Sequence, residues 1–353
     1  MRNLLMTAML LVPATSASAT TFVYVSEAGE GAIKIFRADE TTGALTAVDS
    51  LKVAGTPGSL GTDPAKRFLF ASLRSTVSIA SHQIEAATGK LTPINSTTLT
   101  PGANAAFVTT DRQGKFLLSA SYNGARVTVH AIDASGRLGS EPLQTIETAK
   151  TAHSFAITDD NRLAFVPHVA PNAVYQFRFD GATGKLESLG QAPGGAEKAG
   201  PRHIAIHPSQ KFAFTSDETG SSITSYALDS RTGLKPMETL STLPTDFSAR
   251  NTTADVKMHP SGKFVWVSNR GHDSLAGFAF DAASGKLKAI GQTPTEKTPR
   301  SFDVAPSGRF IYSAGEGSGK LAAYRVNEST GQLERFATYD VGKSLTWVMV
   351  VVK

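Results

Sequence analysis

Hydrophobic and polar residues alternate with a period of two along most of this chain, in runs too short for helices. In Gly200–Ile223, GPRHIAIHPSQKFAFTSDETGSSI, the apolar positions Ile204 and Ile206 and then Phe212 and Phe214 alternate with other residues. A tight turn at His207–Gln210 separates the two runs. That pattern predicts an antiparallel hairpin with one buried face. The start of one antiparallel strand lies beside the end of its partner, so Arg202 and Glu218 are predicted neighbours.

The hairpin belongs to a repeat. A Thr/Ser-Gly-x-Leu turn recurs with its glycine at Gly43, Gly89, Gly136, Gly184, Gly285 and Gly331, and Gly233 marks a degraded copy. Neighbouring glycines lie 46 to 52 residues apart. Tight turns favour glycine because it tolerates positive φ. Between them recurs Pro/Asp-x-x-Lys/Arg followed by an aromatic or apolar residue, as at Asp63–Phe68, Asp111–Phe116 and Pro260–Phe264. Each unit reads as four strands, in the fifth His203–His207, Phe212–Asp217, Ser222–Leu228 and Lys235–Thr242. Four short strands at this period predict an all-β, seven-bladed β-propeller with four antiparallel strands per blade. A β-sandwich would not repeat this way. Arg300 follows Gly285 by 15 residues, and Thr346 follows Gly331 by the same interval. Leu345–Val352 is therefore predicted to be the innermost strand of the first blade, with Phe22–Ser26 as its second strand. That closes the ring and removes its open edges.

The first residues follow another logic. Arg2, the short apolar run Leu4–Val12 and Ala17-Ser18-Ala19 form a secretory signal pattern, with cleavage expected after Ala19. The run is too short for a bilayer, which needs ~20 apolar residues. The expectation is a signal peptide at 1–19, a single propeller domain at 20–353, export to the periplasm and no stable membrane insertion. With no cysteine, disulfides and thiolate metal sites are excluded. The net charge of +5 is spread over turns, as at Lys66, Arg67, Lys115 and Lys263, with no basic run carrying interleaved aromatics. That argues against nucleic-acid binding and for a mild attraction to anions.

Repeat register locates a candidate site. Nine residues before the Lys/Arg of each turn, blades two to seven carry Gly58, Ala106, His153, Arg202, Ala254 and Arg300. Seven residues after it they carry Arg74, Tyr122, Val169, Glu218, Arg270 and Glu316. Both positions fall at one mouth of the central channel. Folding requires no charge there, since Gly or Ala suffices in three blades. Convergent ionisable groups in a concavity mark a ligand site. Arginines fork onto carboxylate or phosphate and stabilise oxyanions. His153 can accept a proton, and Glu218 can act as a base or orient another group. Water attack on an activated ester fits this set. A serine triad does not, since no Gly-x-Ser-x-Gly elbow occurs. No HExxH or EF-hand pattern occurs, and His203 and His207 share a strand without carboxylate neighbours, so neither metal nor cofactor is expected.

Ser121-Tyr122-Asn123, His153-Ser154-Phe155-Ala156-Ile157, Gly200-Pro201-Arg202-His203, Glu218 with Ser221-Ser222, Ala254-Asp255 and Pro299-Arg300-Ser301-Phe302 complete the picture. Through them the chain resembles the bacterial lactonase family of seven-bladed propellers, of the 6-phosphogluconolactonase type. The resemblance covers essentially all of 20–353. It implies a hydrolase opening a sugar lactone without metal, on a small anionic or sugar lactone substrate. Distant fungal lactonising relatives imply catalytic roles for His153, Arg202, Glu218 and Arg270. Tyr122, Asn123, His203, Arg300 and Arg74 are expected to bind substrate. Thr148–Ala152 departs from the family in lacking a Gly-rich run before His153. An exported binding propeller or a muconate-type lactonising isomerase are the alternatives. A binder would need the arginines but no base.

Overall fold

The computed structural model describes residues 19–353, and the expected signal peptide falls almost wholly outside them. The described residues form seven four-stranded antiparallel sheets and no helix. Blades two to seven each use four strands in order. In the first blade Leu345–Val352 is the inner strand beside Thr21–Glu27, with Thr21 opposite Val352. The chain's two ends thus complete one sheet, as the register predicted. In the fifth blade the strands are Pro201–Ile206, Phe212–Asp217, Ser222–Asp229 and Gly233–Ser241. The first begins two residues earlier than the alternation implied, because Pro201 already pairs with Asp217 across a bulge.

The two sequence signatures turn out to be one contact. Gly89 has φ +72°, and a Cβ there would overlap the ring of Phe22 in the preceding blade. Gly136 meets Phe68, Gly184 meets Phe116, Gly331 meets Phe264, and Gly43 meets Phe310 across the closure. The glycine therefore serves its own turn and also admits the neighbour's aromatic ring. Gly233, in the degraded copy, faces the Gln176 amide instead. Apolar clusters fill the spaces between blades: Val25, Leu345 and Val348 pack with Tyr312, Ala314 and Leu321 where the ring closes.

The inner strands carry the detail that builds a site. Register shifts fall between Ala105 and Phe107, Pro201 and His203, Thr253 and Val256, and Pro299 and Ser301. The residues bulged out are Ala106, Arg202, Ala254 with Asp255, and Arg300. A β-bulge re-aims its side chain, and bulges cluster beside active sites. Two residues before the mouth position the backbone is left-handed at Thr151 (φ 70°), Gly200 (φ 73°), Thr298 (φ 55°) and Ser344 (φ 56°). These precede His153, Arg202, Arg300 and Thr346. Positive φ on a β-branched Thr is an outlier that needs support from its surroundings. Thr151, in the segment that lacks glycines, holds the turn without one. Its N–H donates to Tyr122 O at 2.7 Å.

Candidate functional site

His153, Arg202, Arg300, Arg74, Gly58, Ala106 and Thr346 line one cavity at the channel mouth. Six of these seven occupy the same repeat position; Arg74 comes from the second ring. Both rings therefore converge as the register implied. The cavity's enclosed volume is small, about 10 Å³, room for one water.

Arg202 is 2% exposed and spans two blades. Its Nη1 donates to Ala254 O at 2.6 Å. Its Nε stands 3.2 Å from Glu218 Oε2 as an ion pair. That contact lies off the N–H direction, so both atoms lack a hydrogen-bond partner. Arg270 Nη2 donates to Thr253 O at 2.9 Å and pairs with Glu218 Oε1 at 3.0 Å. Glu218 is thus shared by two guanidiniums. Two blades on, Arg300 and Glu316 repeat the motif at 3.5 Å. Four arginines against two glutamates leave the mouth positive. Burial first, then Arg270 and Arg300, press the Arg202 guanidinium below its ordinary range, with Glu218 and Asp255 pulling it back. A guanidinium keeps its proton regardless, so this unfavourable field is relieved by an incoming anion.

His153 stacks edge-on to Tyr122 at 5.5 Å and to His203 at 5.0 Å. Burial, then Arg202, His203 and Arg300, hold its imidazole well below the usual histidine range. It is neutral at neutral pH and can accept a proton. Asn123 is exposed in the turn after Tyr122 and joins no hydrogen bond of the cluster. Arg74 lies in the cavity wall, where burial and Arg300 lower its pKa and Glu316 raises it.

The expectation that His203 lacks a carboxylate neighbour is corrected by the fold. His203 Nδ1 lies 2.7 Å from Asp255 Oδ1, from the adjacent blade. Sequence separation hid the pair: 52 residues part them, but both stand one place after the mouth position of their blades. Ser301, at the same place in blade seven, donates to Asp255 Oδ2 at 3.2 Å. Two residues deeper, Lys257 lies 4.0 Å from Asp255 and 3.6 Å from Asp303. Burial pushes the Asp255 carboxyl up, but Lys257 and His203 outweigh it and hold it at about 2. Burial brings His203 down to about 4, against the pull of Asp255. At neutral pH the carboxylate is charged and the imidazole neutral, so Nδ1 carries the proton and donates to Asp255.

His203, Phe107 and Trp347 also meet across the channel. Their ring centroids are 5.7, 5.5 and 5.7 Å apart, a triangle with no opening at its centre. The mouth is therefore a blind cavity. Lys257, Asp303, Phe107 and Trp347 were not singled out from sequence, and Asp255 stood out only within the Ala254-Asp255 motif; the same register read one and three places deeper finds all five. Among the described residues no group of His, Asp or Glu is arranged to hold a metal ion.

Beneath Glu218, Asp217 is fully buried and accepts hydroxyl protons from Thr215, Ser222 and Thr224 at 2.7, 2.8 and 2.7 Å. Burial raises its carboxyl to about 7 despite these bonds. A folded-state pKa above the unfolded value gives stability that is full below about pH 4 and is lost as pH rises toward 7. Asp217→Asn keeps the neutral form at every pH. The variant is expected to melt higher than the wild type at pH 8, by an amount on the order of 4 kcal/mol, and alike at pH 4. Thermal melts across that range check it, and parallel curves would refute it.

The sequence profile described as "Lactonase, 7-bladed beta-propeller" matches residues 17–350. The chain belongs to this lactonase family. Among curated members it is 34% identical over 311 residues to a 6-phosphogluconolactonase of Pectobacterium carotovorum, covering 88% of this chain and 92% of that one. It is 30% identical to that of Serratia proteamaculans, over 94% and 99% of the two chains. Among solved structures, a protein from Lactobacillus plantarum superposes with a TM-score of 0.85 at 26% identity, covering 94% of this chain and 99% of that one. A periplasmic gluconolactonase of Pseudomonas aeruginosa shares the fold with a TM-score of 0.86 at 22% identity, over 95% and 99%.

Proposed function

We propose that this family member is a lactonase, a carboxylic-ester hydrolase that opens a sugar aldonolactone by attack of water. The observation that carries this reading is the blind, positive cavity with a neutral imidazole in its wall. Arg202 and Arg270, held in place by Glu218, are the donors for the oxyanion that forms as the carbonyl is attacked. His153 takes the proton as the water oxygen bonds to the carbonyl carbon. The ring C–O bond then breaks, and the departing alkoxide takes that proton. Glu218 is committed to two guanidiniums, which favours His153 as the base and gives Glu218 an orienting role. Arg74 and Arg300 hold an anionic substituent such as a phosphate. The curated relatives named 6-phosphogluconolactonase support this substrate class.

The test is a screen of the purified chain against phosphorylated and plain aldonolactones, corrected for spontaneous opening. Acceleration of the phosphorylated lactone is expected, and its reduction on replacing Arg74 or Arg300 should appear in KM more than kcat. No acceleration of any lactone would overturn the reading. We also propose export with removal of 1–19. Thr20 N–H donates to Lys353 O, and the first strand starts at Thr21, so such cleavage leaves the closing sheet whole. The N-terminal residue of protein recovered from its own cell decides this.

A further inference from the structure

Arg74 stands apart from the other arginines of the mouth. Arg202 and Arg270 share Glu218, and Arg300 has Glu316. The Arg74 side chain lines the same cavity but makes no ion pair or hydrogen bond with any described residue. It is half-buried, and a cation taken out of water without a counter-charge is stabilised by an anion from outside.

Gly58 makes room for it. This is the mouth position of blade two, where other blades carry Ala, His, Arg or Thr. The Gly58 backbone is not left-handed, so no turn demands glycine there. A Cβ at this place would instead lie 3.0 Å from Arg74 Cδ and 3.3 Å from its Cγ. It would also lie 2.7 Å from Ser72 Oγ, a buried hydroxyl with no partner. The bare Cα is what the Arg74 stem rests against beside the cavity. Blade two stands three blades from blade five one way round the ring and four the other, as far apart as seven blades allow. The excess positive charge of the mouth therefore lies at two poles, the Arg202–Glu218–Arg270 group and Arg74 across from it.

We propose that Arg74, seated over Gly58, is the specificity-determining residue of the mouth and selects substrates with a phosphate at the end remote from the ester carbonyl. The inference rests on the lactonase reading for the place of the carbonyl, at Arg202 and Arg270. The phosphate site itself does not depend on that reading. A guanidinium fork meets two phosphate oxygens at once. Arg300, already balanced by Glu316, gains less from an added anion.

The experiment is calorimetric titration of the full chain with inorganic phosphate, beside KM and kcat for phosphorylated and plain aldonolactones. Arg74→Met keeps the apolar stem and removes the fork. It should raise the phosphate Kd roughly 10–10²-fold, the scale of a charged hydrogen bond. KM should rise by a like factor for the phosphorylated lactone alone. Arg300→Met combined with Glu316→Gln leaves the net charge of the mouth unchanged. That pair should change Kd by less than about fivefold, because a part-exposed ion pair contributes little. Gly58→Thr, which copies Thr346 of blade one, should weaken phosphate binding by displacing the Arg74 stem. Adding Ser72→Ala should not restore it. Phosphate binding that is absent in the wild type, or unchanged in a folded Arg74→Met or Gly58→Thr, overturns the proposal. So does an equal loss in the Arg300–Glu316 double variant, or a KM effect shared by plain lactones. If phosphate binding follows Arg74 but no lactone is opened, the functional reading fails and the anion site stands.

Discussion

Arg202→Ala is expected to lower lactone turnover by ~10²–10³, the scale set by losing one preorganised oxyanion donor. The side chain is nearly sealed, and one end is fixed to Ala254 O at 2.6 Å. Little reorganisation is therefore needed as charge develops on the substrate. Its removal also leaves Glu218 with Arg270 alone, so one orienting contact goes with it. The mouth position tolerates Gly58, Ala106 and Ala254 in other blades, and a short side chain there is compatible with the bulge. Circular dichroism of the variant should match the wild type while steady-state rates fall. Arg202→Lys should recover little, because one compact ammonium does not reproduce the planar fork that meets Ala254 O through Nη1 and Glu218 through Nε. A folded Arg202→Ala variant with wild-type turnover would remove Arg202 from the mechanism.

Deletion of Leu345–Lys353 is expected to abolish a stable fold. The strand buries Leu345, Trp347, Val348, Val350 and Val351. Each is worth about 1.5–3 kcal/mol of burial, so their sum rivals the ~5–15 kcal/mol of net stability of a whole protein. The loss also exposes the edge of Thr21–Glu27, an invitation to pair with another chain. Aggregation on expression or a collapsed melting transition would be seen. A soluble truncated chain with unchanged melting would contradict ring closure as the source of stability.

The architecture could be read from the chain because its causes are local and repeated. Alternation gives the strands, and the glycine turns give their count. The match of Thr346 to Arg300 gives the closing strand, since the propeller's period leaves no other vacancy. The same register assembled Arg202, Glu218, His153, Arg74 and Arg300, because blades related by rotation bring equal positions to one axis. What escaped was set by geometry that no single repeat contains. The bulge at Arg202 appears only when the pairing of Pro201 and His203 is compared. His203 looked isolated because its partner comes from the next blade. Asn123 matches a motif, but its turn points it to solvent.

The triangle of Phe107, His203 and Trp347 gives the cavity a single entrance. A through-channel would let substrate enter at one end and product leave at the other. Here traffic in both directions shares one doorway ringed by arginines. Ring opening converts a neutral ester into a carboxylate, so the product leaves with one more negative charge than the substrate brought. It must depart against the attraction that drew the substrate in. Product inhibition is therefore the expected result, relieved by salt only as far as the partly exposed Arg300 can be screened, in a propeller whose bore is stopped just below its mouth.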